Sequence, residues 1–94
     1  MYFITMIEIK NGEINDTRCV GYVASLDKAK EILENNECDI CETCYNYATI
    51  ENIPEGIYQY DTSPIWFKFN ELEEKYIECN KPEESKNWAG FAIG

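Results

Sequence analysis

An Asn-Gly pair at positions 11 and 12 stands between two segments rich in β-branched and aromatic residues, and no other feature constrains the fold as strongly. A type I′ turn needs positive φ at both central residues, and Asn followed by Gly meets that need at little cost. Tyr2 to Ile9 and Ile14 to Ala24 are therefore predicted to be the two strands of an antiparallel hairpin. In the first of them Phe3, Ile7 and Ile9 fall on one face, and Tyr2, Ile4 and Met6 on the other. Apolar residues on both faces predict a central strand.

The chain then changes period. Ser25 has the chemistry of a helix N-cap, with Asp27 placed to complement the dipole in the first turn. Leu26, Ala29 and Leu33, flanked by Ile32, make a helical stripe, while Lys28, Lys30, Glu31 and Glu34 fall mostly elsewhere. Asn35-Asn36 predicts a stop or bend. Residues 38 to 44 have the pattern of a further helical turn or two, with Ile40, Cys41 and Cys44 inward.

Tyr45 to Ile53 reads as a third strand, with Tyr45, Tyr47 and Thr49 on the face opposite Ala48 and Ile50. Pro54-Glu55-Gly56 reads as a turn. Ile65 to Phe69 and Lys75 to Cys79 read as an antiparallel pair, joined by the acidic segment Asn70 to Glu74. Pro82 is placed to open a short helical turn, and Gly90 to Ile93 to form a last strand. The order ββα followed by three or four strands predicts the α+β class. The expected architecture is a mostly antiparallel sheet of five or six strands with one main helix packed on one face, built as a single domain over residues 1–94.

Charge narrows the partners. The net charge is −10, from 18 acidic and 8 basic residues. Binding to nucleic acid needs Lys and Arg to displace counterions from phosphates, so direct nucleic-acid binding is not expected. Anionic membrane surfaces are disfavoured for the same reason. The first residues have no basic segment and reach an acid at Glu8, unlike a signal peptide. No apolar run approaches the roughly 18 residues of a membrane span. A cytoplasmic location is expected, and the odd count of five cysteines speaks against a closed disulfide framework.

The chain contains no His, which removes His-based general bases and triads. There is no Gly-rich phosphate loop and no G-x-S-x-G, so no enzymatic activity and no catalytic residue is expected. Cys38-Asp39-Ile40-Cys41-Glu42-Thr43-Cys44 overlaps the start of a ferredoxin pattern, with Cys79 or Cys19 available as a fourth thiolate. The x3-C-P continuation is missing, and so are the paired knuckles of a zinc site. A spacing of three is also that of small buried residues on a helix. The expectation is core packing with no cofactor. Cys38, Cys41, Cys44 and Cys79 are kept as the candidates for a thiolate metal or Fe–S site. Asp39, Glu37 and Glu42 surround these thiols with negative charge, which disfavours redox reactivity.

Two surfaces have the composition of binding sites. Glu31, Glu34, Glu37, Asp39 and Glu42 recur around the helical region, and Glu71, Glu73, Glu74, Glu78, Glu83 and Glu84 form a second concentration. Carboxylates in rows can replace DNA phosphates in a basic groove, although the same pattern also serves as a solvated face. Tyr45, Tyr47, Tyr58 and Trp66 are candidates for stacking a nucleobase, with Arg18 or Lys68 meeting a phosphate. The alternative is a small core that uses large side chains to gain buried area.

The string CDICETCYNYATIENIPEGIY, then IWFKF and the closing GFAIG, resembles a group of short uncharacterised proteins of Gram-positive bacteria and their phages and mobile elements. The shared residues are Cys38-Asp39-Ile40 with Glu42, Tyr45 and Tyr47, Gly56 and Tyr58, Trp66-Phe67, and Gly90 to Gly94, which span most of the chain. The resemblance implies a phage or mobile-element accessory protein. It brings no known activity, and it includes Cys38 without a full set of metal-ligand cysteines. Taken together, the expectation is a non-catalytic module that binds a protein partner through its acidic and aromatic surface. Its sharpest form is an inhibitor of a basic, nucleic-acid-binding host-defence protein acting by DNA mimicry. A nucleotide binder or sponge using the stacked aromatics is the alternative, followed by the thiolate metal protein. Pairing of two copies across a free sheet edge is left open.

Overall fold

Asn11 and Gly12 take φ values of 55° and 80°, as a type I′ hairpin requires. They join strand β1 (Tyr2–Lys10) to strand β2 (Glu13–Val23). The pairing runs from Tyr2 opposite Val23 to Lys10 opposite Glu13. Its register shifts twice, between Ile4 and Thr5 and between Glu8 and Ile9. Such irregularities bend a strand and raise its twist. The computed structural model describes residues 1–35, 45–54 and 63–83.

Helix α1 (Leu26–Glu34) follows at once. The Ser25 hydroxyl accepts the Lys28 N–H at 3.3 Å, and Asp27 lies in the first turn. Asn35 ends the helix, its N–H bonded to the Glu31 carbonyl at 2.9 Å. Ala29 and Leu33 are fully buried, and Leu26 and Ile32 pack at the margin of the same cluster.

Strand β3 (Tyr47–Asn52) pairs antiparallel with β1. Strand β4 (Ile65–Asn70) pairs with β3, and strand β5 (Lys75–Cys79) with β4. The result is a five-stranded antiparallel sheet of order β2-β1-β3-β4-β5, with α1 packed on one face, an α+β fold. In the β4–β5 connection the Asn70 side chain accepts the N–H groups of Leu72 and Glu73 at 2.9 and 3.1 Å, which closes the turn from within. Glu74 completes it with φ 54°.

Both faces of the sheet centre are buried. On the helix side Ile4, Met6, Ala48, Ile50, Phe67 and Tyr76 pack against α1. On the other side Ile7, Ile9 and Trp66 form a second cluster, and Thr5, Thr49 and Glu51 are buried with them. Thr5 and Thr49 are cross-strand partners, and neither hydroxyl has a hydrogen-bond partner among the described residues. An unsatisfied buried hydroxyl costs about 1–3 kcal/mol. Val keeps the β-branched shape without the polar atom. Thr49→Val is therefore expected to raise stability by about 1 kcal/mol in chemical denaturation. A loss of that size would show that the hydroxyl is satisfied in solution.

One alternation differs from expectation. Tyr45 packs with the helix-side cluster, whereas Tyr47 faces the other way. The ladder with β1 ends at Ile7–Tyr47, and Asn46 breaks the alternation. Its N–H bonds to the Ile7 carbonyl at 3.2 Å, and its side-chain amide bonds both the N–H and the carbonyl of Ile9 at 2.9 Å. The side chain thus does the work of one more backbone pair, and Tyr45 turns to the opposite face. The readings of helix over 38–44, of the turn at Glu55-Gly56 and of a strand over 90–93 lie outside the described residues, as does all but the start of the turn at Pro82. No helix among the described residues is long and apolar enough to cross a membrane.

Candidate functional site

The sheet order brings together acidic residues that are far apart in sequence. β5 is an edge strand, and α1 packs beside it on the same face as Tyr76 and Glu78. Glu34, near the end of α1, lines one cleft with Glu73 of the β4–β5 turn and Glu78 of β5. The cleft has a volume of about 460 Å³, and Tyr76 and Phe67 contribute to its walls.

Two lysines sit among these carboxylates. Lys30 Nζ lies 3.7 Å from Glu78, and Lys75 Nζ lies 3.9 Å from Glu73. Each pair is solvent-exposed, so each contributes about 0–1 kcal/mol and is weakened by salt. Glu34, and Glu71 and Glu74 in the adjoining turn, have no cation within ion-pair distance among the described residues. The helix-side cleft therefore sets three carboxylates, Glu34, Glu73 and Glu78, against two ammonium groups, Lys30 and Lys75, while Glu71 lines the groove on the opposite side of β5 together with Lys68. At the tip of the same turn Leu72 is 96% exposed. Arranged this way, the surface can attract and orient a cationic partner.

Of the acidic residues expected around the helix, Glu31 and Glu34 are both exposed. Glu31 is held by Lys28 at 3.9 Å. Glu37, Asp39 and Glu42 lie outside the described residues. The local spacing around the helix singled out the first concentration. Its meeting with Glu73 and Glu78 has no local signal, because it depends on which strand becomes the edge beneath α1.

The aromatic and basic candidates divide between the two faces. Tyr47 meets Trp66 edge-on, with ring centroids 6.2 Å apart, and Lys68 Nζ sits 5.7 Å from the Tyr47 ring centre. Trp66 is only 2% exposed, so its indole is part of the packed interior and offers no open stacking face. Tyr45 lies across the sheet, its hydroxyl donating to Asp16 at 3.0 Å. Arg18 is exposed on the other edge strand, β2. Tyr58 lies outside the described residues. The five described candidates therefore do not line one pocket.

Cys79 is half-buried at the β5 edge. Burial raises its thiol pKa, Glu78 raises it further, and Lys68 opposes both. The protonated thiol that results is a poor metal ligand and nucleophile. Cys19 is exposed on β2, at the far edge of the sheet. Four strand spacings separate the two, roughly 19 Å, so they cannot serve one metal site. Cys38, Cys41 and Cys44 lie outside the described residues. Among the described residues no group of three Cys, Asp or Glu side chains is placed to hold a metal ion.

Sequence reasoning missed Asn46 and the buried set Thr5, Thr49 and Glu51. Thr5 and Thr49 do occupy inward positions in the alternation of β1 and β3, a signal that hydrophobicity alone does not weigh. Comparison with protein-family models, with curated proteins and with solved structures gives no match.

Proposed function

We propose that this chain is a non-catalytic binding protein that docks a basic protein partner on the acidic cleft between α1 and β5. The supporting observation is that Glu34, Glu73 and Glu78, from separate parts of the chain, line a single cleft. Glu74, in the same turn as Glu73, has no cation within ion-pair distance among the described residues. A nucleic-acid-binding protein presents the complementary chemistry, since its groove is built to receive a row of phosphates. In its sharpest form the partner is a host-defence protein, and the chain inhibits it by occupying the groove. The resemblance to phage and mobile-element proteins fits that role. A nucleotide-binding role is less well supported, because Trp66 is buried and Arg18 lies at the opposite edge of the sheet.

The test is charge reversal. Glu34→Lys and Glu73→Lys are expected to weaken the complex by about tenfold each, the scale of one opposed charge at an interface. Both positions are exposed, so the fold should tolerate the changes. Duplex DNA should compete with the wild-type chain for the partner. A partner that binds both variants with unchanged affinity would remove the cleft from the interface.

A further inference from the structure

The backbone of β5 has a direction that the pairing pattern fixes. The Phe69 N–H bonds to the Asn46 carbonyl at 3.0 Å, so Phe69 turns its polar backbone groups toward β3. In an antiparallel strand these groups alternate sides residue by residue. Lys68 therefore faces β5, where its register partner is Ile77. It follows that Ile77 turns inward to β4 and that Glu78 turns its N–H and carbonyl outward, away from the sheet.

Among the described residues no strand pairs with that outer edge. The two edges of the sheet differ. The β1–β2 pairing carries two register shifts, a device that bends an edge away from further pairing. The β4–β5 pairing runs in unbroken register from Asn70–Lys75 to Trp66–Cys79. The straight edge also has a cleft on each side. On the helix side lies the acidic cleft of Glu34, Glu73 and Glu78. On the other side Leu72, Ile77 and Cys79 contribute an apolar strip to a second groove of about 490 Å³, which Lys68 and Glu71 also line.

We propose that β5 receives an extended segment of the partner protein as an added strand, in which Lys or Arg alternates with apolar residues. Side chains of a strand point alternately to the two faces. The basic ones enter the acidic cleft beside Glu34 and Glu78, and the apolar ones lie along Leu72 and Ile77. Backbone pairing supplies affinity and the alternation supplies selectivity, as in other strand-addition complexes. The inference rests on the reading of the acidic cleft as a protein-docking site and adds the mode of recognition.

The probe is a short synthetic peptide alternating Lys and Val, with one alternating Glu and Val as control. In the free protein the Glu78 amide is expected to exchange its hydrogen rapidly, as a solvent-facing edge amide does. With the Lys-Val peptide at roughly 100 times its Kd, exchange at Glu78 should slow by about a hundredfold. The Glu-Val peptide should leave it unchanged. A slowly exchanging Glu78 amide in the free chain would show that the edge is already occupied, by the chain itself or by a second copy, and would overturn the proposal.

Two variants separate this mode from simple charge attraction. Glu78→Gln removes the carboxylate and keeps the N–H, whereas Glu78→Pro removes both at an edge position where Pro is tolerated. Strand addition predicts weaker binding for Gln and none for Pro. Equal weakening by the two would leave the acidic docking surface standing and refute the added strand. Indifference of binding to both variants would contradict both ideas. Methylating the peptide nitrogens that face β5 tests the same bonds without touching the protein, and undiminished binding would again refute the added strand.

Discussion

Tyr76→Ala is expected to cost about 3–5 kcal/mol, the range for deleting a buried aromatic ring. Tyr76 is fully buried at the centre of the helix-side core. Its ring meets Phe69 edge-on at 5.1 Å, and its hydroxyl donates to the Tyr45 carbonyl at 3.0 Å. It thereby ties the edge strand to the segment that enters β3. Domains of this size have about 5–15 kcal/mol of stability in all, so the variant should be close to unfolded at room temperature. Tyr76→Phe isolates the hydrogen bond and should cost about 1 kcal/mol. Urea denaturation of the two variants checks both values. Similar small losses for Ala and Phe would mean that the ring is not a core element. Since Tyr76 also lines the acidic cleft, Tyr76→Ala should disturb partner binding with the fold, whereas Tyr76→Phe should spare it.

Asn46→Ala should have the next largest effect, about 2–4 kcal/mol. The estimate comes from leaving a donor and an acceptor without partners, at about 1–3 kcal/mol for each buried group. Both are backbone groups of Ile9, which is itself 8% exposed. Asn46→Asp should not rescue the loss. A carboxylate can still accept the Ile9 N–H, but it has no donor for the Ile9 carbonyl. Equilibrium unfolding of the two variants would settle the point. If Asp restored wild-type stability, the bond to the Ile9 carbonyl would contribute nothing.

Much of the fold was legible because its signals are local. Asn11-Gly12 specifies a turn by its two φ angles, and Ser25 caps a helix through one side-chain bond. The stripe of Leu26, Ala29 and Leu33 marks the buried face by spacing alone. β4 and β5 were also legible, since a short acidic segment joins two runs of apolar and aromatic residues. Tyr45 was misplaced because one side chain, Asn46, substitutes for a backbone pair and ends the alternation. Nothing in an Asn between two tyrosines announces that.

The candidate site was legible only in part. Glu31 and Glu34 were marked as one acidic face by helical spacing, and Glu71 to Glu78 stood out as a second concentration by composition. Their meeting depends on sheet order, which places β5 at the edge beside α1. That order follows from pairing between β1 and β3, whose partners run from Ile7–Tyr47 to Tyr2–Asn52 and so lie far apart in the chain. The aromatics show the converse. Tyr47, Trp66 and Lys68 do come together, but Trp66 is spent on the interior. Only the folded chain separates an aromatic that packs from one that could stack on a ligand.

The most direct test of the acidic docking surface is partner capture at two salt concentrations, with the wild-type chain and the Glu34→Lys/Glu73→Lys variant side by side. Electrostatic reach falls from about 10 Å at 0.1 M salt to about 3 Å at 1 M. The expected result is a basic, nucleic-acid-binding protein that the wild-type chain retains at about 0.1 M salt, loses toward 1 M, and yields to duplex DNA, and that the variant fails to hold at either concentration. A complex that survives both high salt and charge reversal would contradict docking through the acidic cleft.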